Sequence, residues 1–218
     1  LFAMVRIVFT GGGSGGHIFP IIAVIRELKR HFKIHNVEHQ FVFMGPKDNF
    51  APVFFFNEQV TAHFIWAGKF RRYFSFQNFA DIFKVPFGVI QALWRLWILM
   101  PDAIFSKGGY GSFPVVLAAW LYRIPVILHE SDAAPGLANK ILSRFAKKIA
   151  ISFKDITAFP LRKTVITGNP IRSELFKQIL QGEIPFLLDP ERKVILIIGG
   201  SQGALRINDF ILSVLPLL

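Results

Sequence analysis

The chain has 218 residues, 52% of them hydrophobic, no cysteine and a formal net charge of +11. This length fits one large or two modest α/β domains, the apolar content excludes a disordered chain, and the absence of cysteine excludes a disulfide scaffold or thiolate metal site. The charge suits anionic lipid or phosphorylated substrates; nucleic acid is not expected, because no basic run reaches five residues and no zinc, helix-turn-helix or RNP-like pattern occurs.

The first residues, Leu1-Phe2-Ala3-Met4, are too short for a secretory signal, and a start at Leu reads as a fragment with Met4 as the true beginning. Val5 to Phe9 is a buried parallel strand by its β-branched, apolar character. Thr10 to Pro20, TGGGSGGHIFP, follows, and Ile21, Ile22, Val24, Ile25 and Leu28 then recur at helical spacing. Strand, glycine loop and helix in this order make a cradle for phosphate or diphosphate. Five glycines let a ligand approach the backbone, and N–H groups stand at the positive end of a helix dipole, with His17 at the rim. Gly11, Gly13 and Gly16 also fit a dinucleotide fingerprint, but the second strand, Gln40 to Met44, ends in Gly45-Pro46-Lys47 without the acid that would hold a ribose. A purely structural glycine turn needs one or two glycines, not five.

A strand near Val60 to Trp66 leads into residues 69–100. Phe70, Tyr73, Phe74, Phe76, Phe79, Phe83 and Phe87 alternate there with Lys69, Arg71, Arg72 and Lys84, a composition suited to an anionic membrane interface. Phe79, Ile82 and Phe83 equally fit a core-facing helical stripe. Ile90, Leu93, Trp94 and Trp97 are expected in the core. No apolar run is long enough to span a bilayer, since Gln91 and Arg95 interrupt residues 85–100. A second glycine loop, from Ser106-Lys107-Gly108-Gly109-Tyr110 to Ser112, lies between the strand at Ala103 to Phe105 and a helix from Phe113 to Tyr122. The strand Pro125 to Leu128 ends in His129-Glu130-Ser131-Asp132, and a helix starts after Pro135 and Gly136. Strands near Lys148 to Ser152 and Thr164 to Thr167 precede Gly168-Asn169-Pro170, which reads as a hinge. A third strand–glycine-loop–helix unit then runs from a strand at Val194 to Ile198 through Gly199 to Ala204 into a helix. The expected organisation is a first domain over 4–167, a hinge over 168–192 and the opening of a second, cut-off domain over 193–218.

TGGGSGGHIFP, SKGGYGSFP, HESDAAPGLANK, TGNPIR and GGSQGALRIN, in this order and spacing, resemble the MurG family, UDP-N-acetylglucosamine:N-acetylmuramyl-(pentapeptide) pyrophosphoryl-undecaprenol N-acetylglucosaminyltransferases. The resemblance runs from about Val5 to the end. It implies a GT-B glycosyltransferase fold of class α/β: a doubly wound, Rossmann-like first domain that holds the lipid-linked acceptor, and a second that holds most of UDP-GlcNAc. It implies a peripheral enzyme on the cytoplasmic face of the bacterial cell membrane, converting lipid I to lipid II for peptidoglycan. Partners would be UDP-GlcNAc, lipid I and the anionic inner-leaflet surface. Ser14, Gly15, Gly16, Asp132, Arg172, Ser201, Gln202 and Asn208 match positions for the donor. Gly12, Gly13, Lys107, Gly108, Gly109, Tyr110 and Asn139 would serve the acceptor diphosphate. The membrane patch would be Phe70, Arg71, Arg72, Phe74, Phe76, Phe79 and Phe83, with Arg144, Lys147 and Lys148 as a basic rim. Asp132 departs from the commoner Asn.

The implied chemistry is inverting transfer, with His17 the first candidate base or a positioning group, and Glu130 the second candidate base or a structural carboxylate. With no Asp-x-Asp in the chain, neither metal nor cofactor is expected. A UDP-sugar epimerase sharing the glycine loops, or an acceptor-holding subunit of a split enzyme, are the alternatives, and the 218 residues alone are not expected to transfer sugar.

Overall fold

The computed structural model describes residues 4–47, 51–68, 76–176, 193–199 and 204–217, without the side chains of residues 76–80, 82 and 217. It divides into two compact units, Leu1–Leu175 and Phe176–Leu218.

The first unit is a seven-stranded sheet in which each neighbouring pair is parallel. Its strands are β1 (Val5–Thr10), β2 (His39–Gly45), β3 (Thr61–Phe64), β4 (Ala103–Ser106), β5 (Val126–Glu130), β6 (Lys148–Ile151) and β7 (Thr164–Ile166), in the spatial order β3-β2-β1-β4-β5-β6-β7. Parallel neighbours require crossovers, and helices supply most of them: α1 (Gly15–Ile34), α2 (Ala51–Asn57), α3 (Phe76–Leu99), α4 (Phe113–Leu121) and α5 (Leu137–Leu142). No element was expected over Ala51–Asn57, where α2 forms; the parallel pairing of β2 with β3 is what demands a crossover there.

Alternation along the strands sorts the core into two layers. Val8, Val42, Met44, Ile104 and Leu128 face α3 and α4. Phe9, Phe41 and Phe43 face Ile18, Ile21, Ile22 and Ile25 of α1 and Phe55 of α2. The second layer is largely aromatic: Phe43 stacks on Phe55 with centroids 4.1 Å apart, and Phe9 meets Phe41 edge-on at 5.4 Å. The order reverses at β1, whose neighbours are β2 on one side and β4 on the other. Crossovers from β1 and from β4 therefore run in opposite directions and leave a crevice beyond Thr10 and Ser106, the usual ligand position in an open parallel sheet.

Two expectations are corrected. Ile90, Trp94 and Trp97 are not core residues: they are 62%, 65% and 61% exposed, while Leu93 is partly buried. The inner stripe of α3 includes Gly88, Ala92 and Leu96, the first two small enough for close packing on α4. Because α3 is apolar almost all round, helical periodicity alone cannot choose which face turns inward. The strand expected at Val194 to Ile198 is absent; residues 193–199 have no regular secondary structure and are exposed. A parallel strand must borrow its hydrogen bonds from neighbours, and none among the described residues pairs with this segment. The helix α6 (Leu205–Val214) that follows bonds locally and forms.

The inner stripe gives a direct test. Ala92→Leu would overpack a fully buried site and lower unfolding free energy by about 1–3 kcal/mol. Trp94→Ser, on the outer face, would stay within about 0.5 kcal/mol of the parent in urea denaturation.

Candidate functional site

The first glycine loop runs from Gly11 to Ser14, the N-cap of α1, and the second begins at Lys107. Both lie at the strand-order reversal. They are tied together by backbone: Lys107 N–H donates to Thr10 O at 2.8 Å, and Gly12 N–H donates to Gly108 O at 3.0 Å. Gly12 N–H, expected in the anion cradle, is thus committed to holding the loops in register. Among the described residues no protein acceptor takes the N–H groups of Gly13, Gly15 and Gly16. Ser14 leaves them open, because its Oγ pairs with His17 Nδ1 at 2.8 Å instead of capping the helix. The positive end of a 20-residue helix therefore faces the crevice.

The His17 ring sits between the two loops. A Cβ on Gly109 would lie 2.8 Å from its Nε2, and one on Gly12 would lie 3.3 Å from the ring. Gly108 and Gly109 adopt φ of +83° and +77°, and a Cβ at Gly108 would collide with Asn139. Burial, with the Lys107 ammonium nearby, pushes His17 down to about 4, against a smaller upward pull from Asp132. The imidazole is therefore neutral at pH 7, as a general base must be.

Opposite His17, the loop from Glu130 to Asn139 closes a cleft of ≈ 220 Å³ that also contains Gly16, Lys107 and Gly109. Glu130 is 3% exposed. Its Oε1 accepts from Asp132 N–H at 3.0 Å, and its Oε2 accepts from Gly136 N–H at 3.3 Å and Asn139 Nδ2 at 2.9 Å. Three donors within the protein engage this carboxylate, an arrangement that suits the structural role of the two expected for Glu130. Asn139 passes the constraint on: its Oδ1 accepts from Gly109 N–H at 3.2 Å. Lys107, only 3% exposed, donates to Ser131 Oγ at 2.9 Å. Ser131 was not singled out by sequence reasoning, since a loop serine carries no signal without its spatial partner.

Other expected residues lie elsewhere. Tyr110 is half-buried at the start of a 3-10 turn, Tyr110–Ser112. The Arg172 guanidinium stacks 4.7 Å above the Phe19 ring, beside a larger cleft of ≈ 450 Å³ along the outer side of α1. In that cleft Arg26 is paired with Glu58 and Glu174, and Arg30 with Glu27, so size there does not bring free charge. Asn208 is exposed on α6 of the second unit. Ser201, Gln202, Phe70, Arg71, Arg72 and Phe74 lie outside the described residues, as do the side chains of Phe76 and Phe79, whereas Phe83 is 57% exposed on α3.

The model of the glycosyltransferase family 28 N-terminal domain matches residues 7–151, which include both glycine loops and the whole of the cleft. The chain belongs to this family. A UDP-N-acetylglucosamine--N-acetylmuramyl-(pentapeptide) pyrophosphoryl-undecaprenol N-acetylglucosamine transferase of Bacillus thuringiensis is 42% identical over 98% of the chain. The chain spans 59% of that protein's length. Among solved structures, Acinetobacter baumannii MurG is similar at a TM-score of 0.61 and 26% identity, over 77% of this chain and 46% of that one. A UDP-GlcNAc 2-epimerase of Neisseria meningitidis shares the fold at a TM-score of 0.56 and 16% identity, over 82% of this chain and 50% of that one.

A second histidine, the buried His129, accompanies the half-buried His17 in this family 28 domain. Its Nε2 donates to Gly168 O at 3.1 Å, and burial pushes it down to about 4. Both histidines have pKa values below the ordinary 6.5, so the unfolded chain binds protons that the folded chain does not. Stability is then fully present above about pH 6.5 and is lost as pH falls toward about 4. Urea midpoints are expected to fall between pH 7 and pH 5, and His129→Gln to flatten that dependence; an unchanged slope in the variant would refute the assignment to His129.

Proposed function

We propose that this chain is the acceptor-side part of an inverting glycosyltransferase that moves GlcNAc from UDP-GlcNAc to the C4 hydroxyl of MurNAc in undecaprenyl-pyrophosphoryl-MurNAc-pentapeptide, the lipid I to lipid II step of peptidoglycan synthesis. The observation that carries this reading is the single cleft in which a neutral His17, a buried Lys107 and the open N-terminus of α1 meet in a family 28 domain. The family and the similarity to a transferase at 42% identity support it.

In this reading the acceptor diphosphate lies against the two loops. Lys107 and the free N–H groups of α1 balance its charge. His17, with Nδ1–H held on Ser14 Oγ, takes the acceptor hydroxyl proton at Nε2. The alkoxide oxygen forms the new bond to the anomeric carbon as the bond to UDP breaks, and UDP leaves with that electron pair. Backbone donors, rather than a metal, stabilise the departing charge, in keeping with the lack of an Asp-x-Asp motif. The Glu130–Asn139–Gly109 chain keeps the second loop in place for this step.

The enzyme would work on the cytoplasmic face of the bacterial cell membrane as a peripheral protein. Phe83, Phe87, Ile90, Trp94 and Trp97 make a continuous exposed face of α3, more than half exposed at each position. Trp120 lies beside Arg123, Arg144 and Lys147 at a neighbouring cleft, so an apolar face is flanked by cations that suit anionic lipid. Phe70, Arg71, Arg72, Phe74, Phe76 and Phe79 extend the proposed patch on sequence grounds. No helix among the described residues is long and apolar enough to cross a membrane.

Radiolabelled GlcNAc transfer from UDP-GlcNAc to a lipid I analogue by the full-length gene product tests the reaction. His17→Ala is expected to lower the rate by about 10²–10⁴-fold; no transfer by the intact protein would overturn the proposal. In vesicle co-sedimentation, Trp94→Ser with Trp97→Ser should weaken binding to phosphatidylglycerol vesicles by about tenfold or more. Equal binding by the double variant would remove the outer face of α3 from the membrane contact.

A further inference from the structure

Lys107 and Asp132 sit at the two ends of one hydrogen-bonded chain. The ammonium donates to Ser131 Oγ at 2.9 Å, and the Ser131 hydroxyl donates to Asp132 Oδ1 at 3.3 Å. From Asp132 the chain continues through its N–H to Glu130, through Glu130 to Asn139, and from Asn139 to Gly109, two residues beyond Lys107. The result is a closed ring that joins the second glycine loop to the loop after β5. The charged side chains lining the cleft with His17 are Lys107, Glu130 and Asp132. Glu130 is engaged by three internal N–H donors, whereas Asp132 is exposed apart from its serine contact.

We propose that Lys107 and Asp132, bridged by the Ser131 hydroxyl, are a charge-compensated positioning pair for His17, in which the ammonium faces the imidazole as a like charge and the carboxylate faces it as an opposite one. A buried lysine in this cleft carries a cost that the neighbouring carboxylates, Glu130 foremost and then Asp132, offset. Before transfer, the ammonium disfavours protonation of His17 and keeps its lone pair available. As the imidazole takes up the acceptor proton, the carboxylate stabilises the cation that forms. The directions of the Lys107 and Asp132 influences on His17 agree with these roles. The consequence for reaction rate rests on the glycosyltransfer reading; the electrostatic pairing itself does not.

The test is a histidine NMR titration of the chain, with the His17 signal assigned by its loss in His17→Gln. Lys107→Met should raise the His17 midpoint by on the order of one pH unit, and Asp132→Asn should lower the protonated fraction at pH 4. The double variant should lie between the two single variants, above the parent midpoint, because the Lys107 influence is the larger of the two. Single variants that leave the midpoint in place, or move it in the same direction, would overturn the proposal. Should Lys107→Met lose native dispersion, Asp132→Asn alone decides, because its side chain is exposed and an unmoved midpoint there is sufficient refutation. No sugar transfer enters this measurement. Opposite shifts without transferase activity would defeat only the glycosyltransfer reading, whereas unmoved midpoints in an active enzyme would defeat only the charge pair. In an active enzyme the acid limb of kcat/KM should follow the midpoint, a readout that a merely structural lysine would not move.

Discussion

The candidate site depends on a buried carboxylate. Glu130 stands at the end of β5, out of solvent, and a charge there is tolerable only because three N–H groups from its own loop and from α5 converge on it. Those donors fix the path of the chain from Asp132 to Asn139. Asn139 in turn fixes Gly109, and Gly109 abuts His17. An apolar residue at 130 would leave the three donors without partners and release the second glycine loop from its neighbour.

The topology decides where that constraint acts. Strand order reverses at β1, so the loops after β1 and β4 meet, although 96 residues separate Gly11 from Lys107 in the chain. Their backbone groups are divided between two tasks. Gly12 N–H and the Gly108 carbonyl hold the loops to each other, while Gly13, Gly15 and Gly16 keep open donors at the head of α1. The Ser14 side chain enforces this division by turning to His17 rather than to the helix end. One serine thereby orients an imidazole and leaves the N-terminus of α1 without a side-chain cap.

Helix α3 shows a different balance. Its inner stripe combines the small Gly88 and Ala92 with Leu96, and its larger aromatic side chains are displaced outward. Close approach to α4 favours Gly88 and Ala92 on the inside, because a tryptophan there would hold the helices apart. The hydrophobic surplus that results is concentrated on one face of α3.

Much of this was legible in the amino-acid sequence. The strand–glycine-loop–helix units at Val5 to Lys29 and Ala103 to Tyr122, the parallel sheet, the phosphate-suited loops and His17 all follow from local pattern, since strand propensity, glycine freedom and helical spacing are properties of contiguous residues. Three matters belonged to the tertiary structure. Which face of α3 turns inward could not be read from a helix apolar on every side. Val194 to Ile198 has strand character but forms no strand, because a parallel ladder takes its hydrogen bonds from neighbours. The surroundings of Glu130, Ser131 and Lys107 depend on which atoms meet across the cleft: three N–H groups converge on the Glu130 carboxylate from residues two to nine positions away, and Lys107 meets Ser131 across 24 residues. Sequence determines what each residue can do; only the contacts between distant segments determine which of those capacities is already spent.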